Sequence, residues 1–224
     1  MGSKGRVPLR EFEGRALMME ISLKMERPTI RNWEQYYQDN ELEVMPWYFD
    51  GLDHDFDNKI KELGLSSGNV LDIGSGPGTQ AMEISKYGFN VTGIDISPTA
   101  VKKAARLADQ RHIPVKFIVH DILKGNFEDK FDYVFDRGCF HVQDVSLRAD
   151  YVRNVSNIIN KGGYLFLKCF SYKQEGTEGP HRIHPDEIRE AFSKNFDIIS
   201  IADTLFDGNH KPPPKGLFCT MKKR

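Results

Sequence analysis

Cysteine is scarce. Cys139, Cys169 and Cys219 are the three in 224 residues, at scattered spacings. An odd, dispersed set builds neither a disulfide framework nor a metal centre, and fits reduced, buried thiols in the cytoplasm. An excess of charge is missing too: 31 Lys and Arg stand against 32 Asp and Glu, a formal net charge of −1. That leaves no basic stripe for nucleic-acid phosphates or an anionic membrane surface. Long apolar runs are lacking; stretches such as 164–167 are far too short to span a bilayer, and the N-terminus has no signal-peptide core. Internal repeats are not found either. The remaining expectation is a globular domain with a sizeable core over residues 29–224. It is preceded by a mixed-charge arm at 1–28, where 17–25 can form a short helix.

Glycine is where the sequence becomes specific. Residues 70–79 read VLDIGSGPGT, a short apolar run that stops at Gly74-Ser75-Gly76-Pro77-Gly78, a strand breaking into a loop. Glycines there allow close backbone approach to a ligand. A second strand at 90–94 delivers Asp95, placed to accept hydrogen bonds from a ribose diol, with Ile96 next. The dinucleotide fingerprint wants a small residue closing G-x-G-x-x-G/A against a pyrophosphate. Here Thr79 holds that place, and Asp72 lies inside the first strand. A carboxylate at that position repels a pyrophosphate and attracts a cationic amino-acid moiety or a sulfonium.

Alternation fills in the rest. Helices are predicted over 33–40, capped by Asn32, over 53–63, and from 79 to about 87. Another runs from Pro98, behind the cap Ser97, to about residue 110, followed by 147–159 and 185–192. Strands are predicted at 69–73, 90–94, 115–119, 133–135, 164–169, 196–205 and 217–221, with a turn at Lys161-Gly162-Gly163 and a stiff link at Lys211–Lys215. Such an order implies an α/β, doubly wound, mostly parallel sheet with helices on both faces.

Asp72-x-Gly74-x-Gly76 with Asp95 downstream resembles the first two motifs of the class I S-adenosylmethionine-dependent methyltransferases. His120-Asp121-Ile122 at the third strand end resembles a further one. The resemblance implies a Rossmann-like seven-stranded sheet with an antiparallel last strand. It also implies S-adenosylmethionine as cofactor, S-adenosylhomocysteine as product, Asp121 facing the adenine amino group and Ile122 against the ring. Asp136-Arg137-Gly138, then Arg148, Tyr151, Phe170-Ser171-Tyr172, Gly179-Pro180 and His184-Pro185, is similar to the thiopurine S-methyltransferases. Trp33-Glu34-x-x-Tyr37 and Pro46-Trp47 are similar to plant halide and thiol methyltransferases, which carry an acid where Tyr48 stands here. Residues 29–65 would then form a helical lid, with Trp33, Tyr37 and Trp47 over the cofactor. Asp72, Gly74, Ser75, Gly76, Gly78, Thr79, Asp95, Ile96, His120, Asp121, Ile122 and Asp136 would complete its site.

For chemistry the resemblance points to Arg137 beside the acceptor and Asp136 near the amino-acid end of the cofactor. The alternative for this charged pair is a satisfied ion pair that holds the loop. His141 is the nearest candidate base, with a hydrogen-bonded structural histidine as the alternative, and Cys139 reads as a small buried thiol. No metal is called for. The expected partner is a small-molecule acceptor, a thiol or other soft nucleophile, for a monomer or homodimer. The first rival is transfer to oxygen or nitrogen of a small aromatic or quinol. The second is a cofactor-holding module without catalysis, whose mark would be a lost strand-end acid; Asp72, Asp95 and Asp121 are all present.

Overall fold

The computed structural model describes residues 32–125 and 127–224; the expected arm at 1–28 and its helix lie outside them. Two helices come first, α1 (Trp33–Asp39) and α2 (His54–Glu62). The alternating part follows as β1 (Asn69–Ile73), α3 (Thr79–Ser85), β2 (Asn90–Asp95), α4 (Pro98–Arg111) and β3 (Lys116–Val119). The second half is β4 (Phe131–Arg137), α5 (Arg148–Ile158), β5 (Ile159–Phe170), α6 (Pro185–Phe192), β6 (Phe196–Leu205) and β7 (Lys215–Lys223). Local signals set these boundaries: Asn32 caps α1 by accepting from Gln35, and Ser97 caps α4 by accepting from Ala100, with Pro98 at its first position.

The seven strands lie in the order β3-β2-β1-β4-β5-β7-β6. β1 pairs in parallel with β2 and β4, and β7 runs antiparallel between β5 and β6. β1 is buried on both faces after its first residue, as a central parallel strand must be. One face packs Leu71, Val134, Tyr151, Val155 and Phe192 against α5 and α6; the other packs Phe56, Ile60, Ala81, Phe135 and Phe166 against α2 and α3. The chain leaves β1 toward one edge and β4 toward the other, so a crevice opens beyond their carboxyl ends.

Three strands run longer than expected, β4, β5 and β7. β5 begins at Ile159, and the turn expected at 161–163 is absorbed as a bulge: pairing steps from Phe131↔Ile159 to Tyr133↔Tyr164. Gly163 is required there, because a Cβ would lie 2.5 Å from the Asp132 carbonyl oxygen. β4 continues to Arg137, which makes Arg137 and Lys168 register partners. Among the described residues, no helix is long and apolar enough to cross a membrane.

Candidate active site

A cavity of about 880 Å³ occupies the crevice. Ile73 and Gly74, where β1 enters the glycine loop, line its floor. Asp95 organises that loop: one carboxylate oxygen accepts from Gly76 N–H and the other from Ser97 N–H, both at 2.9 Å. Gly76 has φ +48°, and a Cβ on it would meet the Tyr37 hydroxyl at 2.5 Å. Gly78, at φ +76°, would put a Cβ 2.6 Å from the Phe117 ring. The loop is therefore closed against any side chain at both positions.

Asp72 stands buried under the loop and is not part of the cavity wall. Its Oδ2 has no partner. Burial, then the neighbouring Asp136, pushes its carboxyl up to about 8. An orphaned carboxyl oxygen beside a glycine loop fits a site whose ligand brings positive charge. The far wall is built at the ends of β2 and β3 by Asp95, Ile96, His120, Asp121, Ile122 and Leu123. Asp121 accepts from Leu123 N–H at 3.0 Å, which fixes the turn, and Ile96 is an aliphatic side chain left 52% exposed. An apolar face beside a fixed carboxylate suits a flat heterocycle with a polar edge.

Aromatic rings make the roof. Trp33 and Trp47 meet edge to face at 5.7 Å, Tyr36 and Trp47 lie 5.3 Å apart, and Tyr37 packs beside both tryptophans. Glu34 anchors this roof to the start of α4, accepting from Ser97 Oγ at 2.6 Å, Thr99 N at 3.0 Å and Thr99 Oγ1 at 2.6 Å. The Ser97 and Thr99 hydrogen bonds hold the Glu34 carboxyl at about 2, below its ordinary 4.5. A depressed carboxyl contributes to docking above pH 4.5 and loses that contribution as pH falls through about 2. Acidification from pH 5 to pH 2 is therefore expected to loosen α1. Emission from Trp33 and Trp47, the chain's two tryptophans, reads this directly, and Glu34→Gln should remove the dependence.

The tip of β4 holds the residues expected to carry chemistry. Asp136 is fully buried and does not line the cavity. It accepts from the N–H groups of Gly138, Cys139 and Phe140 at 2.9, 2.7 and 2.9 Å and from the Tyr151 hydroxyl. These bonds shape the turn, and burial lifts its carboxyl to about 6 against them.

Arg137 lines the cavity but is not a free cation. Its Nε donates to Asp53 at 2.8 Å, and its terminal nitrogens donate to the Trp47 and Asp207 carbonyls. This is the ion-pair alternative, with Asp53 as partner instead of Asp136. His141 also lines the cavity, and its Nδ1 accepts from Phe170 N–H at 2.8 Å. Burial, then the neighbouring His181 and Arg148, pushes it down to about 3. The bond to Nδ1 places the proton of the neutral ring on Nε2. Cys139 is half-buried on the wall, its thiol pushed up by burial and by Asp136.

The expected residues thus divide. Trp33, Tyr37, Trp47, Gly74, Asp95, Ile96, His120, Asp121, Ile122, Arg137 and His141 meet around one cavity. Asp72, Ser75, Gly76, Gly78, Thr79 and Asp136 are not on its wall. Sequence reasoning missed Asp53, Lys168 and Phe206. Lys168 did leave a signal, a lone cation inside the apolar run Leu165–Phe170.

A methyltransferase-domain family matches residues 70–163. The 2-heptyl-1-hydroxyquinolin-4(1H)-one methyltransferase of Mycobacteroides abscessus is 29% identical over 155 residues, 67% of this chain and 68% of that protein. An uncharacterized methyltransferase of Schizosaccharomyces pombe is 36% identical over 113 residues, 50% of this chain and 78% of that one. Among solved structures, one from work on the conversion of a disulfide bond into a thioacetal group during echinomycin biosynthesis superposes with a TM-score of 0.74. It is 23% identical and covers 85% of this chain and 91% of its own.

Proposed function

The chain belongs to the class I S-adenosylmethionine-dependent methyltransferases, and from that premise we propose that its small-molecule acceptor is a thiol or another soft nucleophile that ionises without help from the protein. His141 carries this reading. Its Nδ1 lone pair is taken by Phe170 N–H, so Nε2–H can donate to an anion but cannot remove a proton from a neutral acceptor. A thiol, with a reference pKa of about 8.5, is already a few per cent thiolate near neutral pH.

When bound, S-adenosylmethionine supplies a methyl group on a positively charged sulfur with a thioether leaving group. The residues present suit it. The Asp95 oxygens each accept one backbone N–H and retain lone pairs for a ribose diol. Asp121 with Ile96 and Ile122 offers an acceptor and an apolar face to an adenine. Asp72, with its unpartnered oxygen and a carboxyl raised to about 8, would ionise as a cationic ligand end approaches the loop. Trp33, Tyr37 and Trp47 close the roof and exclude water. The chain's task is then to align a soft nucleophile with the methyl carbon and keep it desolvated.

A second reading has an observation of its own. Phe170, Phe206 and Pro180 wall the acceptor side, which suits a flat aromatic acceptor, and the mycobacterial relative is named for a hydroxyquinolone. An acidic ring hydroxyl would also arrive ionised.

Labelled S-adenosylmethionine offered with thiols, selenols, thiopurines, iodide, phenols and amines separates the two. Transfer confined to soft nucleophiles supports the first reading, and transfer confined to ring hydroxyls supports the second. For either, the pH–rate profile should follow the acceptor's own ionisation. A limb near pH 6–7 that vanishes in His141→Gln would make His141 a base and overturn the reading.

A further inference from the structure

Arg137 and Lys168 are register partners at the ends of β4 and β5, two cations side by side and both buried. Such an arrangement is strongly unfavourable without anions between the charges. Asp53, the cap of α2 and itself fully buried, answers both. Its oxygens lie 3.0 and 2.8 Å from Lys168 Nζ, and one accepts from Arg137 Nε at 2.8 Å. Asp55 adds a second carboxylate 2.6 Å from Lys168 Nζ. Burial works against the ionised Asp53, yet Lys168 and Arg137 hold its carboxyl below the ordinary value. The two cations and two anions balance.

The cluster reaches the cavity from behind. Arg137 donates to the carbonyls of Trp47 and Asp207, which both line the cavity. Arg137 and Lys168 also face the Phe206 ring, at 5.5 and 5.4 Å from its centroid. Phe206 in turn packs on Phe170 at 5.2 Å and His141 at 5.8 Å, three rings of the acceptor side. Above, the two roof segments are stitched together: Thr204 Oγ1 donates to Asp55 at 2.6 Å, His54 bonds Asp207 at 2.8 Å, and Asn209 N–H donates to the Pro46 carbonyl at 3.1 Å.

We infer that Asp53, Asp55, Lys168 and Arg137 form a charge-balanced latch that fixes the Trp47 rim and the Phe206 wall of the acceptor chamber, so that Lys168 and Asp53 are positioning residues for methyl transfer. Lys168 and Asp53 lie behind the cavity wall and not on it. The inference rests on the methyl-transfer reading only for the choice of reaction, since the latch geometry is independent of the acceptor.

The test compares Lys168→Met, which removes one charge at similar volume, with Asp55→Asn/Lys168→Met, which restores balance and keeps the Arg137–Asp53 pair. Emission of Trp33 and Trp47 is read without ligand, S-adenosylhomocysteine binding by calorimetry, and transfer kinetics with thiophenol as acceptor. Lys168→Met is expected to shift the emission and to raise the KM for thiophenol about tenfold, with S-adenosylhomocysteine affinity within about threefold. The double variant is expected to return emission and KM toward wild type. Loss of packing alone would not be rescued by Asp55→Asn. Unchanged emission in Lys168→Met, or no rescue, overturns the latch. Failure of both variants to fold would make Lys168 a core residue and overturn it equally. If wild type moves no methyl to thiophenol, the acceptor panel decides the thiol reading, while emission and S-adenosylhomocysteine binding still decide the latch.

Discussion

Asp72→Asn is expected to raise the melting temperature at pH 9 by about 5–10 °C while weakening S-adenosylmethionine binding at least about tenfold. Both effects come from one buried carboxyl. Raising it from 3.8 to about 8 corresponds to about 6 kcal/mol against the ionised form. A carboxyl raised on folding contributes fully below pH 3.8, and that contribution is lost as pH rises through about 8. Above pH 8 the wild type holds a buried charge with an orphaned oxygen, and the amide does not. The amide oxygen can still accept from Ala81 N–H, the bond Asp72 makes now. Asp136 remains close by, so about 2–3 kcal/mol of the cost is recovered.

The binding effect has the opposite sign. A cation entering beside Asp72 favours its ionised form, so binding below pH 8 releases a proton, and calorimetry in buffers of different ionisation enthalpy measures it. S-adenosylhomocysteine lacks the sulfonium charge and should lose less affinity than S-adenosylmethionine. The variant should match wild type in melting temperature only well below pH 3.8, at about pH 2.5, where Asp72 is neutral in both folded and unfolded chains. Equal melting temperatures at pH 9 would show that Asp72 carries no such cost.

How far such features were legible depends on the range of the interactions that make them. The glycine loop, the Ser97 cap with Pro98, and the acids Asp95 and Asp121 are local patterns, and the structure places them within a residue or two of expectation. The sheet order follows from alternation and the switch between β1 and β4. Arg137 was legible as a charged residue at a strand tip, but its partner Asp53 lies 84 residues away and reads locally as a helix cap. Lys168 could be understood only after β4 proved long enough to bring Arg137 into register with it. The His141 role turned on one backbone N–H from Phe170, which no sequence pattern announces. Asp136 looked like a ligand group because strand-end acids often are, yet three turn N–H groups and a tyrosine claim it.

Asp95→Ala should weaken cofactor binding by about 1.5–3 kcal/mol, roughly 10- to 150-fold, as expected for lost hydrogen bonds to a charged group. Two causes contribute to such a loss, and the geometry allows them to be separated. Direct loss is the ribose contact. Indirect loss comes from the loop, since Asp95 also holds Gly76 N–H and Ser97 N–H. Asp95→Asn would not preserve the loop, because an amide presents a donor where the second backbone N–H needs an acceptor. It should therefore behave nearly as badly as alanine. A cycle between Asp95→Ala and the 2′,3′-dideoxy analogue of S-adenosylhomocysteine assigns the causes. If the diol contact dominates, wild type loses affinity for the analogue and Asp95→Ala loses little more. If loop order dominates, the two losses add, and the ribose role moves away from Asp95. The raised carboxyl of Asp95, caused first by burial, favours the first outcome: ligand hydroxyls donating to this carboxylate relieve a cost that its two backbone bonds leave standing.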